Sequence, residues 1–103
     1  MSETDLSKAI RKALAAMGIW VVRLQSSGRR GPRSVATGEP GMPDLWTPYG
    51  LLEVKTETGK LSPAQVAWHE RARAEGLNVA TVRSVEDAVR IVTEWRAGWR
   101  RAS

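Results

Sequence analysis

The sequence predicts a small α/β domain, with helices packed on a mixed sheet in two or three layers. Helical and strand periodicities alternate along the chain in the order α-β-β-β-α-β-α, with no internal repeat. A proline–glycine turn joins two of the strands into a hairpin. A length of 103 residues suits one domain, 1–103, and leaves little room for a second.

Each element follows from a local signal. Leu6, Ile10, Ala13, Leu14 and Met17 recur at helical spacing, Glu3 and Asp5 stand at the helix start, and Gly18 is placed to stop it. Ile19-Trp20-Val21-Val22-Arg23-Leu24 is short, β-branched and aromatic, which predicts a strand. From Gln25 to Gly41 the composition changes. Gly28, Gly31, Gly38 and Gly41 are mixed with Pro32 and Pro40 and carry Arg29, Arg30 and Arg33, as expected of a long functional loop. Thr47-Pro48-Tyr49-Gly50 fits a type I turn, so Trp46 should face Leu51, Leu45 should face Leu52, and Asp44 should face Glu53. Type I turns suit two-residue hairpins less well than primed turns, which leaves a one-residue bulge open.

The second half is equally punctuated. Leu61-Ser62-Pro63-Ala64-Gln65-Val66 holds a cap at Ser62, a proline at the first helical position and a capping-box partner at Gln65. That helix should run to Glu75 and stop at Gly76. Asn78 to Arg83 predicts a strand. Ser84 caps a last helix with Val85, Ala88, Val89, Val92, Trp95 and Trp99 on one face.

Composition narrows the function. Sixteen Lys and Arg against 11 Asp and Glu give a net charge of +5, which favours a polyanionic partner such as nucleic acid. With no cysteine and a single histidine, His69, the chain has no disulfide, thiol nucleophile or Cys/His zinc site. No apolar run approaches the roughly 18 residues of a membrane span, and the polar start is unlike a signal peptide. The expectation is a soluble cytoplasmic protein.

Asp44, Glu53 and Lys55 are the candidate site. Alternation puts Glu53 and Lys55 on one face of a strand, and Asp44, directly opposite Glu53, shares it. Two facing carboxylates repel unless a divalent cation lies between them, and carboxylates with a carbonyl and water suit Mg²⁺ or Mn²⁺. Such an ion polarises a phosphoryl oxygen, and a neighbouring lysine can orient the attacking water and stabilise charge developing on the phosphate. Taken alone, the same residues also fit the polar face of a half-exposed strand, with Asp44 as a turn residue after Pro43.

Gly41-Met42-Pro43-Asp44-Leu45 followed by Glu53-Val54-Lys55-Thr56 resembles the PD-(D/E)XK nuclease signature. The block Leu61-Ser62-Pro63-Ala64-Gln65 with Trp68, then Gly76 and Val82-Arg83-Ser84-Val85-Glu86-Asp87-Ala88, resembles the stand-alone VRR-Nuc family of phage and bacterial proteins. The resemblance runs from the first helix to about Val92. It implies a restriction-endonuclease-like fold in which Asp44, Glu53 and the Val54 carbonyl hold Mg²⁺ or Mn²⁺ and Lys55 is catalytic. Gln65 matches a glutamine near the metal, and Glu3, with Asp5 as competitor, matches a first-helix glutamate that supports it. A capping box for Gln65 and a helix-terminal role for Glu3 are the local alternatives.

The resemblance further implies a homodimeric endonuclease acting on branched DNA such as four-way junctions, in the host cytoplasm if phage-encoded. Flaps or plain duplex as substrates, or a DNA-binding module that does not cut, are the alternatives. Arg23 matches the family's strand after helix one in part. With Arg29, Arg30, Arg33 and Lys60 it is a candidate DNA contact, whereas Arg96, Arg100 and Arg101 are expected to be solvated. Trp95 and Trp99 are expected to pack, and His69 to be an exposed bystander. For self-association the last helix, with Trp95 and Trp99, and the first, with Leu6 and Ile10, are the candidate surfaces.

Overall fold

The computed structural model describes residues 1–24 and 39–102, with side chains as far as Trp99. The stretch 25–38, which carries Arg29, Arg30 and Arg33, lies outside the described residues, as do the side chains of Arg100 and Arg101. The elements come in the expected order: α1 (Glu3–Ala16), β1 (Val22–Arg23), β2 (Leu45–Thr47), β3 (Gly50–Val54), α2 (Pro63–Ala74), β4 (Val79–Val82) and α3 (Val85–Ala102). They build one four-stranded sheet in the order β1-β2-β3-β4, antiparallel across the first two pairings and parallel across the last. The parallel pair is joined through α2, as a crossover requires.

The local signals act as read. The Ser2 side chain accepts from the Asp5 amide at 3.0 Å and caps α1. Ser62 and Gln65 form a complete capping box at α2, with Pro63 in the first turn. Ser84 accepts from the Asp87 amide at 3.0 Å to start α3. In the hairpin, Leu45 pairs with Leu52 and Trp46 with Leu51, so no bulge shifts the register. Thr47 reinforces the turn: its hydroxyl accepts from the Tyr49 and Gly50 amides, each at 3.1 Å, and donates to the Gly50 carbonyl at 2.8 Å.

The first strand is shorter than its β-branched run suggested. Only Val22 and Arg23 pair with β2. The Ile19 amide instead donates to the Leu14 carbonyl at 3.0 Å, closing the end of α1, and the Ile19 side chain is buried. Helix termination uses the start of that run, so it is lost to the sheet.

Two apolar clusters cover the two sheet faces, giving three layers. Leu45, Leu52 and Val54 pack with Leu6, Ile10 and Leu14 of α1 and with Ala88 and Val92 of α3. Leu51 and Val79 pack on the other face with Ala72 of α2, bordered by Leu24, Trp46 and Trp68. Leu6 and Ile10 are therefore core residues, and they are not the association surface proposed for the first helix. The apolar face of an amphipathic α1 is used up against the sheet and α3. Exposed apolar area gathers elsewhere. Trp20 lies edge-on to Trp46 at 4.7 Å, and a groove of about 460 Å³ is bordered by Met42, Trp46, Tyr49, Leu77 and Trp99.

Candidate active site

The central hairpin places the acidic pair. Beyond the Leu45–Leu52 pair, the next positions of the two strands are Asp44 and Glu53, on the sheet face that α2 covers. Asp44 Oδ2 accepts from the Val54 amide at 2.8 Å, which fixes its carboxylate beside the end of β3. A strand residue sends its N–H and C=O to the same edge, so the Val54 carbonyl is also directed to the Asp44 side.

Glu53 is 1% exposed. Its Oε2 accepts from Gln65 Nε2 at 3.2 Å, whereas its Oε1 is buried without a hydrogen bond. Burial first, then the hydrogen-bonding proximity and charge of Asp44, push the Glu53 carboxyl up to about 9; the Glu3 charge adds to this and the Lys55 charge opposes it. Without a counter-charge, the fold thus holds Glu53 in its protonated form at neutral pH. A divalent cation is the group that this arrangement fits: two hard carboxylates, an adjacent carbonyl and one buried oxygen lacking a hydrogen bond. Among the described residues no group of three or more His, Cys, Asp or Glu side chains could hold a metal ion, so carbonyl and water oxygens would have to complete the set.

Gln65 forms the capping box and also reaches the acidic pair. Its Oε1 accepts from the Ser62 amide at 2.8 Å as the capping box requires, and its Nε2 donates to Glu53. One amide side chain therefore anchors the start of α2 to the acidic pair. Gly41 makes that approach feasible. It sits at φ +89°, and a Cβ there would lie 2.2 Å from the Ala64 carbonyl oxygen of α2.

Lys55 follows β3 directly and stays in the ladder, its amide donating to the Val82 carbonyl at 3.1 Å. Alternation places its half-buried side chain on the Glu53 face, and its positive charge acts on both Glu53 and His69. The turn after it is tied down by Arg83, whose guanidinium donates to the carbonyls of Thr56 and Gly59, each at 2.6 Å. Sequence reasoning gave Arg83 no role.

The remaining candidates are spread out. Glu3 is exposed at the start of α1, and its charge reaches Glu53. Lys60 is exposed shortly before the α2 cap. Arg23 is exposed opposite Leu45, which puts it on the sheet face away from the acidic pair.

His69 is the correction. It is 1% exposed, not an exposed bystander, and its Nε2 lies 3.5 Å from Glu53 Oε1. Gln65, His69 and Ala72 follow one another at i, i+4 and i+7, so they form the stripe by which α2 meets the sheet. Burial, and then the Arg73 charge, lower the His69 pKa against an opposing contribution from Asp44, so the ring is neutral at pH 7.

A small mixed sheet with helices on both faces and an acid–acid–lysine cluster at the end of its central hairpin defines a restriction-endonuclease-like α/β domain. Among solved structures the chain is similar to one described as a VRR_NUC domain, with a TM-score of 0.66 and 28% identity, over 90% of this chain and 97% of that one. No family model matches the sequence, and no curated protein matches it. Within the class, the chain is thus similar to the VRR-Nuc family through this structure.

Proposed function

We propose that this chain is a metal-dependent, structure-specific DNA endonuclease that cleaves four-way junctions by phosphodiester hydrolysis. The nuclease assignment is supported by the similarity to a VRR_NUC domain. The observation that carries the metal reading is the Asp44–Glu53 pair, with Glu53 buried and one of its oxygens lacking a hydrogen bond. Asp44, Glu53 and the Val54 carbonyl would hold Mg²⁺ or Mn²⁺, with Glu3 adding negative charge nearby. When bound, the ion supplies Lewis-acid stabilisation of the phosphoryl oxygens and makes a water more acidic. Lys55 orients the attacking water and balances charge developing on the phosphate. Gln65 holds Glu53 in place while the phosphodiester is in the site.

The net charge of +5 suits a polyanionic substrate. Cleavage of a panel of duplex, flap, fork and four-way junction DNA in Mg²⁺ and then Mn²⁺ tests the reading. Preferred cutting of the junction is expected; equal cutting of all four would remove the junction specificity, and binding without cutting would leave a DNA-binding module.

Arg29, Arg30 and Arg33 supply phosphate contacts in this reading. Replacing all three by alanine is expected to weaken DNA binding and to flatten its salt dependence by up to about three units of slope. Titrations at several salt concentrations measure this, and an unchanged slope would remove the three arginines from the interface.

The working unit in this reading is a homodimer that makes paired, symmetric nicks. Leu77, 52% exposed, borders the apolar groove, and Trp20, 66% exposed, lies edge-on to Trp46 of its wall, which gives a small domain an area that a two-fold partner can cover. Sedimentation at micromolar protein should give a dimer, alone or with junction DNA. A strict monomer in both cases would end the dimer reading and spare the nuclease.

A further inference from the structure

The two nitrogen-bearing side chains that α2 directs at Glu53 are one helical turn apart. Gln65 Nε2 donates to one carboxylate oxygen, and His69 Nε2 stands 3.5 Å from the other. Glu53 Oε1 and both ring nitrogens of His69 are buried without a hydrogen bond, so three polar atoms are left unsatisfied in one sealed spot. A leucine at that position on the α2 stripe would remove two of the three. The imidazole makes physical sense when Glu53 is an ionised metal ligand. A carboxylate that shares one lone pair with a cation has others to fill, and a nitrogen donor on each oxygen holds it in a single orientation.

We propose that His69 is a positioning residue: with Gln65 it fixes the Glu53 carboxylate for metal binding, by donating from Nε2 to Oε1. The inference rests on the metal-site reading above and extends it to a residue with no place in that set. Direct ligation is disfavoured because His69 does not gather with Asp44 and Glu53 into a set of side chains that could hold an ion. Gln65 already has a second task in the helix cap, whereas the ion-pair contact of His69 is with the Glu53 carboxylate.

The test is Mn²⁺ binding by calorimetry, together with thermal unfolding in EDTA, for the wild type, His69→Leu and His69→Gln. His69→Leu should bind Mn²⁺ about 10–100-fold more weakly, yet unfold in EDTA at no lower a temperature than the wild type. His69→Gln, which keeps an N–H donor at similar reach, should recover most of the affinity. Wild-type affinity in the leucine variant would overturn the proposal. So would a directly coordinated histidine nitrogen in the Mn²⁺ resonance spectrum, because His69 would then be a ligand. If the leucine variant does not fold, the glutamine variant decides: near-wild-type affinity supports the role, and a tenfold loss defeats it. A wild type that binds no Mn²⁺ defeats the metal reading itself, which separates that failure from the failure of His69 alone.

Discussion

Glu53→Gln is expected to abolish cleavage and, in the absence of metal, to make the protein more stable. Loss of one ligand charge from a two-carboxylate site should reduce the rate by at least about 10²–10³-fold, the scale for deleting a group that supports transition-state charge. DNA binding should be retained or improved, because a negative charge facing phosphate is gone. Asp44→Asn should behave alike in cleavage.

The stability gain follows from the Glu53 pKa, raised from 4.5 to about 9 by burial and by Asp44. A group whose folded pKa is raised leaves stability intact below its unfolded pKa and erodes it as pH climbs towards the folded value. The gain from glutamine should therefore be absent near pH 4, grow through neutral pH and reach its limit above about pH 9. Its size at pH 8 should be on the order of 2 kcal/mol. Adding Mn²⁺ should reverse the ranking, since only the wild type regains a partner for the ionised carboxylate. Denaturant melts at three pH values, with and without metal, measure this. A glutamine variant less stable than the metal-free wild type at pH 8 would contradict it.

Gly41→Ala is expected to be the most damaging small substitution outside the charged residues. At φ +89° an L side chain is strained, and the added carbon would sit 2.2 Å from the Ala64 carbonyl oxygen. Backbone on both sides is anchored, by the Met42 amide donating to the Glu39 carbonyl and by the capping box at the start of α2, so relief requires the two segments to part. A loss of about 3 kcal/mol, and a fall in Tm of more than about 10 °C, are expected. Because α2 carries Gln65 and His69 to Glu53, metal affinity should fall with it. Thermal melts and Mn²⁺ titration check both, and an alanine variant with wild-type Tm would show that the close approach is not needed.

The contrast between Gln65 and His69 shows what was legible in the sequence and what was not. Helix caps and the hairpin register depend on residues within a few positions of one another, so Ser62, Gln65 and the Thr47–Gly50 turn could be read directly. The PD-(D/E)XK pattern then named Asp44, Glu53 and Lys55. His69 was misjudged because α2 has little apolar periodicity, so nothing in the helix alone tells which side meets the sheet. The usable signal was its spacing from Gln65: once Gln65 is placed at the acidic pair, the residue at i+4 lies beneath it. Arg83 escaped notice for a different reason. Its partners are carbonyls more than twenty residues away, and their approach depends on the parallel β3–β4 pairing. Ile19 was read as strand because its composition suits one, while the end of α1 takes its amide.

The central claim is that Asp44 and Glu53 hold the ion on which cleavage depends. Its most direct test is the cutting of a labelled four-way junction by EDTA-stripped protein as Mn²⁺ is added back. No cutting is expected in EDTA, a saturable onset is expected with Mn²⁺, and no onset with Glu53→Gln at any Mn²⁺ concentration. Cutting that persists in EDTA, or that Mn²⁺ restores to Glu53→Gln, would contradict it.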